Sequence, residues 1–214
     1  LDICVVTIIQ MNHLHMNGLK YTWVAACCFF LSPLIGQRFQ GGLKMAGTLS
    51  QIDGDDIYGF HKPGFELGGF VAAKLSEKTA LETGIQYSVR GSLSSKNDLI
   101  RVSIGLQYID VPLVFVIRDW IKESAETDYY QMEFFGGISG GRLIGSSSYT
   151  GVDKEFKKND LSWLLGASYY WSENWGATAK YTRSFTSLYT YSKNGGFIDM
   201  TSYYLSLGLK YKFN

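Results

Sequence analysis

From residue 37 onward, apolar and polar positions alternate with a period of two. The last segment is the clearest. Tyr203, Leu205, Leu207, Leu209, Tyr211 and Phe213 share one phase, and Ser202, Tyr204, Ser206, Gly208, Lys210 and Lys212 the other. Strict alternation of this kind predicts a β-strand with two unlike faces. The same pattern predicts strands around 38–51, 63–75, 79–91, 99–118, 129–141, 161–171 and 175–188, making eight in all. Within 99–118 the apolar phase passes from Ile104, Leu106 and Tyr108 to Ile109, Val111 and Leu113. A one-residue slip swaps the faces, so a β-bulge near Asp110 is expected, with Pro112 beside it.

The connections alternate in length. Ser76-Glu77-Lys78 and Ser172-Glu173-Asn174 are tight, whereas Ile52–Lys62, Arg142–Asp160 and Tyr189–Thr201 are long. Short turns at one end and long loops at the other are the signature of an antiparallel up-and-down transmembrane β-barrel. Only Asp119–Asp128 is too long for the tight-turn end. Trp120, Trp171 and Trp175 flank the short-turn side, and Tyr149, Tyr189, Tyr191 and Tyr203 the long-loop side. Two aromatic belts at opposite ends suit the two interfaces of a membrane.

Ahead of these strands lies a different pattern. Met16-Asn17-Gly18-Leu19-Lys20 is a short basic start, and Tyr21–Leu34 is apolar apart from Thr22 and Ser32. Small and polar residues follow, ending at Gly36-Gln37. This is the layout of a cleavable signal peptide, with the cut expected after Gly36. About 14 residues is too short for a helix that needs ~20 to span a bilayer. Val24-Ala25-Ala26-Cys27 resembles a lipobox but leaves too little apolar sequence before it. Residues 1–36 are thus expected to be upstream sequence plus leader, and 37–214 a single barrel domain. Cys4, Cys27 and Cys28, all the cysteines, precede the cut.

Composition sharpens this picture. Lys plus Arg is 20 and Asp plus Glu 19, a net charge of +1, without the basic excess of a nucleic-acid binder. Charged residues are 18%, below the ~25% of ordinary soluble domains. Mean hydropathy is −0.03, which excludes a multi-span helical membrane protein but not a barrel, whose faces average out. The charges segregate. Lys44, Lys74, Arg90, Arg101, Lys180, Lys210, Lys212, Glu66, Glu82, Asp110 and Glu133 fall on the polar phase, and Arg183 on the apolar one near the loop end. An eight-stranded barrel is just wide enough to be filled by side chains. Lys44, Glu66, Glu82, Glu133, Lys180 and Lys210 are therefore expected to pair as a charged plug, since unpaired buried charge is costly.

The terminal run Ser206-Leu207-Gly208-Leu209-Lys210-Tyr211-Lys212-Phe213-Asn214 resembles the β-signal read by the barrel assembly machinery of bacterial outer membranes, carried by Ser206, Gly208, Tyr211 and Phe213. Asn214 after the last aromatic departs from the usual pattern. Residues 38–214 as a whole resemble the PorT-type outer-membrane barrels of Bacteroidota, within the OmpA/OmpX-like and porin-type barrels of Gram-negative bacteria. Gly42-Leu43-Lys44-Met45-Ala46-Gly47, Pro63-Gly64-Phe65, Gly84-Ile85-Gln86-Tyr87-Ser88 and Tyr108-Ile109-Asp110-Val111-Pro112-Leu113 carry that likeness. The resemblance implies an eight-stranded outer-membrane barrel whose partners are outer-membrane lipid, lipopolysaccharide, the assembly machinery and envelope proteins. It implies no cofactor and no single activity, although PorT itself is linked to type IX secretion.

Chemistry at the rim has little to build on. His61 follows Asp53, Asp55 and Asp56 in the first long loop, and Ser146, Ser147 and Ser148 lie near the same rim. They could compose a lipid A-modifying site, but no motif fixes their geometry. Asp53-Gly54-Asp55-Asp56 lacks the Glu and spacing of an EF-hand loop. Gly136-Gly137-Ile138-Ser139-Gly140-Gly141 lacks a phosphate-loop pattern. A non-enzymatic scaffold, partner-binding or secretion-accessory role is the first expectation. The alternatives are a soluble lipocalin-like carrier, which needs an apolar lumen and polar exterior, and the rim enzyme.

Overall fold

Antiparallel pairing joins strands that follow one another in the chain, with one skip, from the seventh strand to the ninth. The computed structural model describes residues 39–55, 59–94, 103–123, 128–148, 155–193 and 195–213. Its strands are β1 (Phe39–Asp53), β2 (Lys62–Lys74), β3 (Thr79–Leu93), β4 (Ser103–Lys122), β5 (Tyr129–Ser148), β6 (Asn159–Tyr170), β7 (Trp175–Ser184), β8 (Tyr189–Lys193) and β9 (Gly196–Lys212). The sheet runs β1 to β7, then β9, and β9 pairs back onto β1. Eight strands thus form a closed ring, which leaves the barrel without edge strands. The expected leader with its three cysteines, and Asp56, Arg101, Tyr149 and Asn214, lie outside the described residues.

The faces are inverted relative to a soluble globule. Leu43, Met45, Leu67, Ile85, Leu113 and Leu207 are exposed on the outside, while Glu82, Arg90, Glu133 and Lys210 are buried within the ring. Apolar outside and polar inside is what lipid demands of a strand, and the reverse of a lipocalin-like carrier.

Three expectations are corrected. Tyr189–Thr201 is not a loop: β8 forms a hairpin with the first residues of β9, Tyr189 opposite Met200 and Lys193 opposite Gly196. Nor does β4 bulge at Asp110. Its alternation is unbroken, with Ile104, Leu106, Tyr108, Asp110, Val114 and Val116 all buried. The irregularity lies across the ladder on β5, where Gln107 pairs with Gly145 and Tyr108 with Leu143, leaving Ile144 as the extra residue. The phase slip arises because the inward positions of β4 toward the loops are apolar. Ile104, Leu106 and Tyr108 pack with Ile52, Phe156, Leu188 and Met200 into a cluster that fills the loop end of the ring. Tyr189 and Tyr191, expected in the outer belt, pack against this cluster instead. Third, the long Asp119–Asp128 connection shrinks because β4 and β5 stay paired out to Lys122 and Tyr129.

The two tight turns share one device. Ser76 Oγ accepts the Thr79 amide at 3.1 Å, and Ser172 Oγ accepts the Trp175 amide at 3.0 Å. Local serine bonds of this kind favour a turn over continued pairing.

Candidate functional site

Inward-pointing charges gather into three tiers along the lumen. The first lies toward the tight turns and centres on Glu133 of β5. Its carboxylate accepts Lys212 at 2.8 Å, Lys210 at 3.0 Å, Arg118 Nε at 3.1 Å and the Tyr170 hydroxyl at 3.0 Å. Lys210 also reaches Glu82 at 2.8 Å, and Lys44 donates to the other oxygen of Glu82. The second tier is Glu66, which accepts Lys180 at 2.9 Å and Gln86 Nε2 at 2.6 Å. The third lies beneath the apolar cluster. Arg90 donates to Asp160 at 2.8 Å and lies 3.6 Å from Asp110. Ser88 donates to Asp110 at 2.6 Å, and Ser184 and Thr186 to Asp160 at 3.1 and 2.7 Å.

All six charged residues expected in the plug, Lys44, Glu66, Glu82, Glu133, Lys180 and Lys210, are therefore drawn into ion pairs within the ring. Arg90, Asp110 and Lys212, placed on the polar phase but not singled out, join them. Two participants were missed. Arg118 sits at the expected end of its strand and Asp160 at the expected end of a loop; each shares the inward phase of its neighbours, Val116 and Ser162 respectively, which is the signal that finds them. Lys74 keeps the polar phase but is exposed, at the last residue of β2.

A buried ion pair adds little net stability, but removing one of its partners is costly. Chemically this arrangement sets six cations against five carboxylates, so most of its charge is compensated within the ring. A void of about 30 Å³ lies there, lined by Lys44, Glu66, Gln86 and Lys180 with Phe135 and Leu164, room for water and little else.

The two ends of the ring differ. Trp171 and Trp175 flank the β6–β7 turn and Trp120 lies two residues before the end of β4, so these three tryptophans lie exposed at the tight-turn end. Tyr129 secures this rim by donating to the Trp171 carbonyl at 2.8 Å. Trp120 holds a left-handed φ of 56°, a conformation uncommon for a bulky residue. On the loop side, Tyr203 stacks edge-on against Phe60, and Arg183 pairs with Asp53 at 2.9 Å. Asp53 is thereby engaged by a cation, and His61 stands in the β1–β2 connection with its amide donated to Gly59. Among the described residues no cluster of His, Cys, Asp and Glu is placed to hold a metal ion.

The four terminal residues singled out, Ser206, Gly208, Tyr211 and Phe213, sit where the ring closes. Ser206 and Gly208 pair with Thr48 and Ala46 of β1. A Cβ on Gly208 would fall 2.0 Å from the Met45 carbonyl oxygen, so only glycine fits there. Tyr211 packs on Trp175 with ring centres 4.8 Å apart, and the Phe213 amide donates to Gly41 at 2.8 Å.

The family model described as outer membrane protein beta-barrel domain matches residues 35–190. The chain belongs to that family. As an outer membrane β-barrel it resides in the outer membrane, and its exposed apolar band meets lipid there. A comparison with curated proteins gives no match. Among solved structures, the barrel is similar to Ail, the attachment invasion locus protein of Yersinia pestis, at 16% identity and a TM-score of 0.43, over 82% of this chain and 99% of that one. Neisserial surface protein A is similar at 16% identity and a TM-score of 0.46, over 83% and 99%. OprG from Pseudomonas aeruginosa is similar at 12% identity and a TM-score of 0.39, over 82% and 94%.

Proposed function

We propose that this outer membrane barrel is a non-enzymatic scaffold whose working surface is its loop end, where it binds an envelope partner or serves secretion as an accessory. The reading rests on the filled lumen. Ion-paired side chains occupy the ring from the Glu133 tier to the Arg90 tier, and the Phe156–Met200 cluster closes the loop end. A lumen so occupied by the described residues speaks against passage of a solute and for the surfaces as the working part. Within that reading the chain is of the PorT type, from the Tyr108–Leu113 segment and its companions. The barrel assembly machinery would meet it through Ser206, Gly208, Tyr211 and Phe213, and lipid and lipopolysaccharide through the apolar band and Arg183.

The test has two arms. Reconstituted in planar bilayers, the purified barrel should give no resolved conductance steps; steady ion-selective openings would overturn the plugged reading. Cross-linking in intact outer membranes, followed by affinity capture of the barrel, should return a discrete envelope protein. That protein should be lost when residues 189–200 are replaced by a short turn. Capture unaffected by that replacement would take the partner site away from the hairpin.

A further inference from the structure

The two strands that close the ring bring like charges face to face. Lys44 of β1 and Lys210 of β9 are direct partners across the closing ladder. Both side chains point into the lumen, their ammonium groups 5.0 and 4.7 Å from the centre of the Phe70 ring. Like charges directly opposite one another weaken a strand pair, and a water-poor interior enlarges that repulsion. Both lysines donate to one carboxylate, Glu82 of β3, each to a different oxygen. Lys210 has a second carboxylate in Glu133. Lys44, among the described residues, has Glu82 alone.

Glu82 belongs to neither closing strand. It stands on β3, four residues after the turn that joins β3 to β2. Its carboxylate therefore reaches the seam only when the β2–β3 hairpin is in place against β1. We propose that Glu82 is a clasp for barrel closure: β1 and β9 zip together only once the β2–β3 hairpin has delivered this carboxylate between Lys44 and Lys210. Closure is thereby ordered, hairpin first and seam last, and the lysine pair acts against a premature β1–β9 contact.

The test is refolding of the full chain from urea into detergent micelles, with the folded fraction read from migration of unboiled samples on a gel. Glu82→Gln should slow refolding roughly tenfold, because the Lys44 ammonium then faces Lys210 with no carboxylate of its own. Adding Lys44→Gln to Glu82→Gln should return the rate to within about twofold of the unmodified chain, because the face-to-face repulsion is gone. Glu66→Gln serves as the comparison. Its lysine is Lys180 on β7, so adding Lys44→Gln should leave its rate unimproved. If Glu82→Gln gives no folded barrel, recovery of folded barrel by Lys44→Gln decides the matter equally. Wild-type refolding of Glu82→Gln, a double variant no faster than the single, or equal rescue of Glu66→Gln would each overturn the clasp.

Discussion

The guanidinium of Arg90 lies 3.9 Å from the centre of the Tyr108 ring. It is fully buried, and two carboxylates, Asp160 and Asp110, face it. Such an arrangement tolerates no partial loss. Removing Asp160 takes away the closer of the two carboxylates and leaves Arg90, in a low-dielectric space, with Asp110 at 3.6 Å. Asp160→Ala should destabilise the barrel by about 3–5 kcal/mol. Guanidinium unfolding followed by loss of the fast-migrating gel band measures it. Asp160→Ala combined with Arg90→Met should recover part of the loss, and a double variant weaker than either single would contradict the account.

Glycine at the seam is a steric requirement. Gly208→Ala places a methyl group against the Met45 carbonyl oxygen and the Ala46 Cα, so β9 and β1 must separate locally. The variant should accumulate poorly in outer membranes and unfold at lower denaturant. Gly140→Ala is the matched control, because an added Cβ there meets nothing within 4 Å. Equal levels of the two variants would show that the close approach at Gly208 is relieved in some other way.

Charge on the lipid face should be costly in proportion to depth. Leu207 lies in the middle of β9, 71% exposed and outward. Leu207→Arg should cost about 2–4 kcal/mol in a bilayer. Phe197, 85% exposed in the hairpin beyond the ring, should accept Arg at about 0–1 kcal/mol. Unfolding from lipid vesicles measures both, and a Phe197→Arg cost equal to that of Leu207→Arg would place the hairpin within the hydrocarbon.

Trp175 and Tyr211 join the first and last strands of the β7–β9 pair at the tight-turn rim. A double-mutant cycle with Trp175→Ala and Tyr211→Ala should give a coupling of about 0.5–1.5 kcal/mol. Coupling near zero would make the two aromatics independent lipid anchors.

The period-two pattern made eight of the nine strands legible, because lipid outside and charge inside write opposite chemistries on alternate residues. The same rule misled at β4. Where the lumen itself is apolar, as at Ile104 and Leu106, inward and outward positions look alike. β8 escaped notice because Tyr189–Lys193 is five residues long and its tyrosines read as an interfacial belt. The membership of the charged plug was largely visible, but its wiring was not. Lys210 and Glu82 are 128 residues apart, and only the stagger of the closed ring decides that they meet. Arg118 and Asp160 lay at boundaries, where a strand reading from sequence is least able to tell last paired residue from first loop residue.

Glu133 draws hydrogen bonds from β4, β6 and β9 at once. A barrel tied together by such spokes cannot open quietly at a single strand, since any parting strands a carboxylate that the other strands still hold. The hoop and its contents therefore stand or fall as one body, and the connection residues Phe156 and Leu188, seated among those contents, are bound to the same fate.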